Sequence, residues 1–323
     1  MKKIVLSIAM AALFAGAAGA NDSTAEKAAG GLVLTRTDAI DMISEDLFVS
    51  AEQVRVRYVF RNRTPSDLRS TVAFPMPDDD LTEREYRDIA YPRDFVTKVD
   101  GKRVQMALER KAMLNGKDHT ALLAALRVPL SDEPETRLDE LSRPEQDRLL
   151  TAGLVAVEDE GGPGVKRHLK PLWSIKDTYH WDQLFPAGRD LNVEHLYAPG
   201  TGGSVGTDLA MPEIRHGAEG KAEIARYCAD AAFLAGIDRL ARAAGEAYAA
   251  LPEQRVGYVL RTGANWRAPI GSFRLVIDKG APANLISFCA DGVRKISPTQ
   301  FEIRRTNWRP DRDLDILIVS PRG

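Results

Sequence analysis

Between Val54 and Phe60 apolar and cationic residues alternate: Val54, Val56, Tyr58 and Phe60 share one parity, while Arg55, Arg57 and Arg61 share the other. A period of two is the signature of a strand with one buried face. Arg69 to Phe74 is a second strand candidate, stopped by Pro75 and Pro77. Phe95 to Leu108 reads as a hairpin, with Asp100-Gly101 supplying the positive-φ turn between Val99 and Val104. From residue 109 the periodicity becomes helical. Asp118 is placed to cap a short helix through Leu126 that ends near Pro129. Ser142-Arg143-Pro144-Glu145 forms a capping-box pattern that opens a helix through Leu149 and Leu150, with Gly153 at its end. Strands then resume. Pro171 to Leu184 and Asp190 to Tyr197 flank Phe185-Pro186-Ala187-Gly188, a predicted hairpin turn. Residues 221–250 are Ala-rich and predict one helix, with Ile224, Tyr227, Cys228, Ala231 and Leu234 on one face. Five short strand candidates close the chain: Val256 to Arg261, Ser272 to Ile277, Leu285 to Cys289, Phe301 to Arg304 and Leu314 to Val319.

These elements predict a mainly β fold with helical insertions. Residues 21–323 form one domain, β-rich over 21–108, with a helical insertion over 109–160, β-rich over 165–210, helical over 221–250 and β-rich over 255–320. Short strands at this spacing point to a sandwich decorated by helices.

The first twenty residues stand apart. Lys2 and Lys3 precede an apolar run from Ile4 to Ala18, and Ala18-Gly19-Ala20 is a small-x-small cleavage site. This is the grammar of a secretory signal peptide cut after Ala20, and the run is too short for a spanning anchor. No other stretch approaches the apolar length needed to cross a bilayer, so no transmembrane anchor is expected after cleavage. The expected address is the periplasm. Cys228 and Cys289 are an even pair suited to an oxidising compartment, and a disulfide between them is the default reading; neither has a His or second Cys at a spacing that suggests a metal or reactive-thiol site.

The 323 residues carry 44 Lys+Arg against 46 Asp+Glu, and 44% are hydrophobic. Disorder is excluded by the apolar content, and general nucleic-acid binding by the lack of a basic excess. Gly202-Gly203-Ser204-Val205-Gly206 matches the G-x-S-x-G pattern of a hydrolase nucleophile. However, Thr207 to Pro212 does not begin a helix, and the only later histidine, His216, is too close. His119, His168, His180, His195 and His216 form no short-range metal pair. His180 and His195, placed across the predicted hairpin, are the one pair that could meet. Asp78-Asp79-Asp80 lacks the spacing of a Ca²⁺ loop, and neither a P-loop nor a strand-linked G-x-G-x-x-G occurs, so no cofactor or metal is expected.

Two surface features are candidates for binding. Arg55, Arg57, Arg61 and Arg63 share parity and would make a cationic stripe for an anionic glycan or headgroup, unless acidic neighbours such as Glu45 or Asp46 pair with them. Trp173, Tyr179 and Trp181 also share parity and would either stack on sugar rings or fill the core.

Several separated segments carry a family likeness. They are Asn21 to Ala25 with Gly30-Gly31-Leu32, Val54 to Asn62 with Thr71 to Pro75, and Trp181 to Pro186 leading to Val193-Glu194-His195. Further along come Asn265-Trp266, Pro269 to Leu275, Ser287-Phe288-Cys289 and Pro298-Thr299. Together they resemble the bacterial domain-of-unknown-function 4424 family. The resemblance implies an exported single-domain protein of immunoglobulin-like β-sandwich character, is compatible with a bridge between the two cysteines, and supplies no catalytic residues. The expectation is therefore a non-catalytic envelope module that binds a protein or glycan partner, with Arg55, Arg57, Arg61, Trp181 and His195 as candidate binding residues. The alternative is a cell-envelope hydrolase using His195 with a nearby carboxylate, Glu194 or Asp182.

Overall fold

A computed structural model describes residues 21–28, 31–82, 93–131, 133–160, 166–245 and 251–321; the leader read at residues 1–20 lies outside them. The chain begins with β1 (Ser23–Ala28), β2 (Gly31–Thr35), β3 (Ile40–Val49), β4 (Val54–Asn62) and β5 (Leu68–Pro75). It continues with β6 (Asp79–Asp80), β7 (Arg93–Val99), β8 (Lys102–Val104), β9 (Ala107–Leu114) and β10 (Lys117–Asp118). Helices α1 (Thr120–Ala125), α2 (Pro134–Glu140) and α3 (Arg143–Thr151) follow, then β11 (Val155–Asp159), β12 (His168–Pro171), β13 (Ser174–Phe185), β14 (Asp190–Ala198) and β15 (Thr201–Ser204). Helices α4 (Pro212–His216), α5 (Ala218–Tyr227) and α6 (Ala231–Ala243) precede β16 (Glu253–Tyr258), β17 (Ile270–Asp278), β18 (Leu285–Phe288), β19 (Arg294–Lys295), β20 (Gln300–Trp308) and β21 (Leu314–Val319).

Among the described residues three larger sheets share one core. The first runs β10-β9-β13-β5-β1-β2, with β6 also on β13; the second runs β19-β20-β17-β3-β4-β14-β7-β8; the third runs β15-β16-β21-β18. Val72, Phe74, Trp181 and Phe185 of the first sheet, Val56, Tyr58, Phe60 and Val193 of the second, and Tyr258 and Ile316 of the third belong to a single buried cluster. Within the second sheet β17 runs parallel to β3, setting a late strand beside an early one, and the other strand pairs of that sheet are antiparallel. The fold is thus mainly β with helical insertions.

Local chemistry explains most boundaries. In β4 Val54, Val56, Tyr58 and Phe60 face inward, and Arg55, Arg57 and Arg61 share the other face with Val59. β7 and β8 form the expected hairpin, with Asp100 and Gly101 both at positive φ. At α3 the capping box is complete: Glu145 accepts from the Ser142 backbone N–H at 2.9 Å, and Gly153 follows the helix at positive φ. α1 to α3 close a second core around Leu123, Leu138, Leu149, Trp173 and Ile175, into which β9 also reaches, so a strand extends to Leu114 inside the stretch read as helical. β21 is buried on both faces: Ile316 and Ile318 enter the main core, whereas Leu317 and Val319 meet α6 and its neighbours.

Two sequence expectations need correction. β13 and β14 are not a hairpin. β13 pairs with β5 and β9 in the first sheet and β14 with β4 and β7 in the second, so Pro186 to Arg189 carries the chain from one sheet to the other. Both edges of β13 and both edges of β14 are taken by these other strands, which leaves no edge for the local pairing that the turn residues suggested. The single helix over 221–250 is instead two helices. Cys228 adopts a left-handed conformation that ends α5, and Asp230 accepts from the Phe233 N–H at 2.7 Å to start α6.

One acidic residue of β20 gives a prediction. Glu302 accepts from Arg304 at 2.9 Å, Arg294 at 2.5 Å and Arg274 at 2.8 Å, and these guanidiniums hold its carboxyl down to about 2. A carboxyl depressed in the folded state stabilises fully above its unfolded pKa, 4.5, and that contribution is lost as pH falls toward about 2. Acid titration of Glu302→Gln should therefore show a shallower loss of stability below pH 4.5 than the parent, with the difference reduced by salt because Arg294 and Arg304 are exposed.

Candidate functional site

The most concentrated polar chemistry lies in the middle of the apolar core. Alternation along β14 points His195 inward with Leu191, Val193 and Tyr197. Its Nε2 lies 3.1 Å from Asp22 Oδ1 and its Nδ1 lies 2.8 Å from Thr97 Oγ1. Both His195 and Asp22 have no exposed surface. The rings of Tyr58, Phe74, Phe95 and Trp181 surround the imidazole at centroid distances of 4.8–5.8 Å.

Glu45 joins this centre through a backbone irregularity. Ile40 and Met42 of β3 face the core, but a bulge at Ile43 shifts the parity, so that Glu45, Leu47 and Val49 face it thereafter. Gly271 on the adjacent β17 makes room, because a Cβ there would stand 2.6 Å from the Ile43 carbonyl oxygen. Asn21 Nδ2 donates to Glu45 Oε2 at 3.1 Å. Burial pushes the Glu45 carboxyl up to about 8, with the Asn21 hydrogen bond opposing and the Asp22 charge adding to the rise. Burial also raises Asp22, against the pull of His195. Nearby, the hydroxyls of Tyr58 and Tyr258 meet at 2.9 Å, and burial raises both phenols, as it does that of Tyr197.

The segment 261–266 clamps the start of the described chain. Thr262 Oγ1 accepts from the Asn21 N–H and donates to the Asn21 carbonyl, both at 2.7 Å. Trp266 Nε1 donates to the Asp22 carbonyl at 2.8 Å, and Asn265 donates to Ser23 Oγ at 3.0 Å.

The hydrolase arrangement is not what this geometry offers. Glu194 follows the opposite parity and pairs with Arg57 at 2.6 Å, while Asp182 accepts from Thr71 on the outer face of its sheet. On β13 it is Trp181 that faces the His195 ring, and His180 beside it follows the opposite parity, so the expected pair is not brought together. The sequence reading missed Asp22, Glu45, Thr97 and Thr262. The one available signal was the change of parity between Met42 and Leu47.

The surface candidates are placed as follows. Arg57 is paired with Glu194, Arg61 forms a two-pronged bond to Asp190 at 2.5 and 2.8 Å, and Arg55 lies over the Phe48 ring at 5.5 Å. Glu45 and Asp46 are not their partners: Glu45 is buried and Asp46 faces Arg274. Trp181 is buried, with its indole N–H on Gln183, and Trp173 is buried in the second core, so the aromatic series is packing and not an exposed platform. Ser204 lies in β15 with its hydroxyl on the Gly206 carbonyl, and the chain turns from there into a short 3-10 segment. Among the described residues no three His, Cys, Asp or Glu side chains stand close enough to share a metal ion, and no helix is long and apolar enough to cross a membrane.

An accessible concavity lies elsewhere. A groove of about 690 Å³ opens between β18 and the face of β17 and β20, floored by Phe273, Phe301, Ile303 and Trp308 and bordered by Ile286 and Phe288. Phe273 and Trp308 stack at 4.4 Å. Exposed Val293, Asp311 and Arg312 form part of the rim, and the Cys228–Cys289 disulfide, 61 residues apart in sequence, stands at one end. Among the described residues β18 has a single strand partner, β21, so its other edge runs along the groove without a strand beside it.

The chain matches the profile described as "Domain of unknown function (DUF4424)" over residues 20–317 and belongs to that family. No curated protein matches it. Among solved structures it is similar to a candidate nutrient binding protein of Legionella pneumophila, with 14% identity, 93% of this chain and 70% of the other covered, and a TM-score of 0.45. It is also similar to an M1 zinc metallopeptidase of Deinococcus radiodurans, with 9% identity, 88% and 43% covered, and a TM-score of 0.24. Similarity at these levels defines no shared activity.

Proposed function

We propose that the protein is an exported, non-catalytic envelope module that binds an extended segment of a partner protein along β18. The observation that carries this reading is the juxtaposition of an unpaired strand edge with an aromatic-floored groove. An extended peptide satisfies the free main-chain groups of such an edge and places alternate side chains in the pockets beside it. The alternation within β18 suits this: Leu285 turns toward α6, packing on Gly236, while Ile286 and Phe288 border the groove. The export signal read from the sequence supports an envelope role, and among the described residues the carboxylates named for a hydrolase, Glu194 and Asp182, are turned to other partners, which favours binding over hydrolysis. His195 and its carboxylate are sealed from any substrate, so they support the scaffold.

Screening the purified protein against a library of twelve-residue peptides and a glycan array tests this. Peptides rich in alternating apolar residues are expected to bind. Binding should fall at least about tenfold when groove-facing Phe288 becomes Asp or when alternate peptide amides are N-methylated, since each change removes an apolar anchor or a strand hydrogen bond. Binding to glycans alone, or peptide binding indifferent to backbone methylation, overturns the strand-addition reading.

A further inference from the structure

We propose that the donor completing the buried centre is the protein's own amino terminus: hydrolysis of the Ala20–Asn21 bond leaves an Asn21 α-ammonium group that sits beside Thr262 and serves the carboxylates of Asp22 and Glu45. In that step water adds across the amide, Ala20 departs with the leader as a carboxylate, and the Asn21 nitrogen takes up the protons. The co-reactants are water and a leader peptidase of the export machinery.

Three observations converge on this. First, Asn21 is already fully buried, its nitrogen is fixed on Thr262, and a Cβ on the adjoining Gly263 would lie 2.7 Å from its side-chain nitrogen. The chain downstream of the predicted cut therefore enters the core at its first residue. Second, the centre has more acceptors than donors. Asn21 Oδ1, Asp22 Oδ2 and Glu45 Oε1 are buried without any hydrogen-bond partner, although buried acceptors are ordinarily satisfied. An amide nitrogen has one N–H, spent on Thr262, whereas an ammonium has three, so cleavage adds two donors at the point where they are lacking. Third, two buried carboxylates face this centre, and an α-ammonium places a fixed cation beside them, without which a buried charge is costly. Processing then becomes a folding step, because only the trimmed chain carries the group that neutralises its own core.

The test uses the full chain, exported with its own leader and recovered from the envelope fraction. Intact mass and N-terminal sequencing are expected to give a chain starting at Asn21. Its α-amine should be acylated roughly 100-fold more slowly in the native than in the unfolded protein, because labelling requires opening of the core. A second protein carries one glycine inserted before Asn21, with the start confirmed by mass. Its melting temperature is expected to be lower by about 5 °C or more, since a buried carboxylate loses its partner.

The deficit should also widen between pH 4.5 and about 8, where an unpartnered Glu45 resists ionisation in the folded state but not in the unfolded one. The other titratable groups facing the centre, Asp22, His195, Tyr58, Tyr197 and Tyr258, are common to both proteins. Glu45→Gln should remove at least half of the insertion's penalty. A start other than at Asn21, an α-amine as reactive as that of a free peptide, or equal melting temperatures would each overturn the proposal. So would an insertion penalty that Glu45→Gln leaves unchanged, which would mark it as steric.

Discussion

His195→Ala is expected to lower the free energy of unfolding by about 3–5 kcal/mol, the cost of leaving a buried carboxylate without its partner. The substitution removes the ring that bonds Asp22 and Thr97 and opens a void among Tyr58, Phe74, Phe95 and Trp181, so the packing loss adds to the electrostatic one. Urea denaturation followed by tryptophan fluorescence measures it. Asp22→Asn, which keeps the shape and one acceptor, should cost less, and the double variant should cost less than the sum of the two singles because they share one interaction. His180→Ala, on a different sheet, should cost about 1 kcal/mol or less. A small effect of His195→Ala, comparable to that of His180→Ala, would mean that the centre holds nothing together.

Removing the disulfide should have an effect of similar size. The Cys228–Cys289 bridge closes a loop of 61 residues, which corresponds to about 4 kcal/mol of stabilisation in the chain-entropy model. It joins the elbow between α5 and α6 to the end of β18, where Ser287 Oγ also donates to the Tyr227 carbonyl. Cys228→Ser with Cys289→Ser, compared with the oxidised parent by the same denaturation, should show that loss. The variant should also bind groove peptides more weakly, because β18 would lose a covalent anchor at one end. Unchanged stability would show that the helices and β18 are held by packing alone, chiefly Phe233 and Ile237 against Leu317 and Val319.

How much of this was legible depended on whether the controlling interaction was local. The β4 alternation, the Asp100-Gly101 hairpin and the Ser142–Glu145 capping box are set by residues close in sequence, and each formed as read. The failures were non-local. Phe185 to Gly188 carries turn-forming residues, yet whether the flanking strands pair with each other depends on β4, β5, β7 and β9, which lie far away in the chain. The Ala-rich 221–250 stretch lacks a proline to mark its break at the left-handed Cys228, whose disulfide partner lies 61 positions on.

The central polar cluster was hardest to see. Asp22 and Glu45 look like ordinary surface acids, and only the parity change across Ile43 records that Glu45 turns inward. His195 was singled out as a candidate binding residue, and a carboxylate was sought for it at Glu194 or Asp182; Glu194 is its neighbour in the strand and points the other way. The partner of His195 is Asp22, 173 positions away. The arginine stripe was visible as a stripe; its neutralisation by Glu194 and Asp190 required knowing that β14 lies beside β4.

Amide hydrogen exchange, with and without a saturating peptide selected from the library, tests the binding account most directly. The account predicts slowed exchange at those amides of Leu285 to Phe288 that do not bond to β21, with no change around His195. Protection confined to the Arg55–Arg61 face, or appearing at the His195 centre while β18 stays as exposed as before, would contradict it.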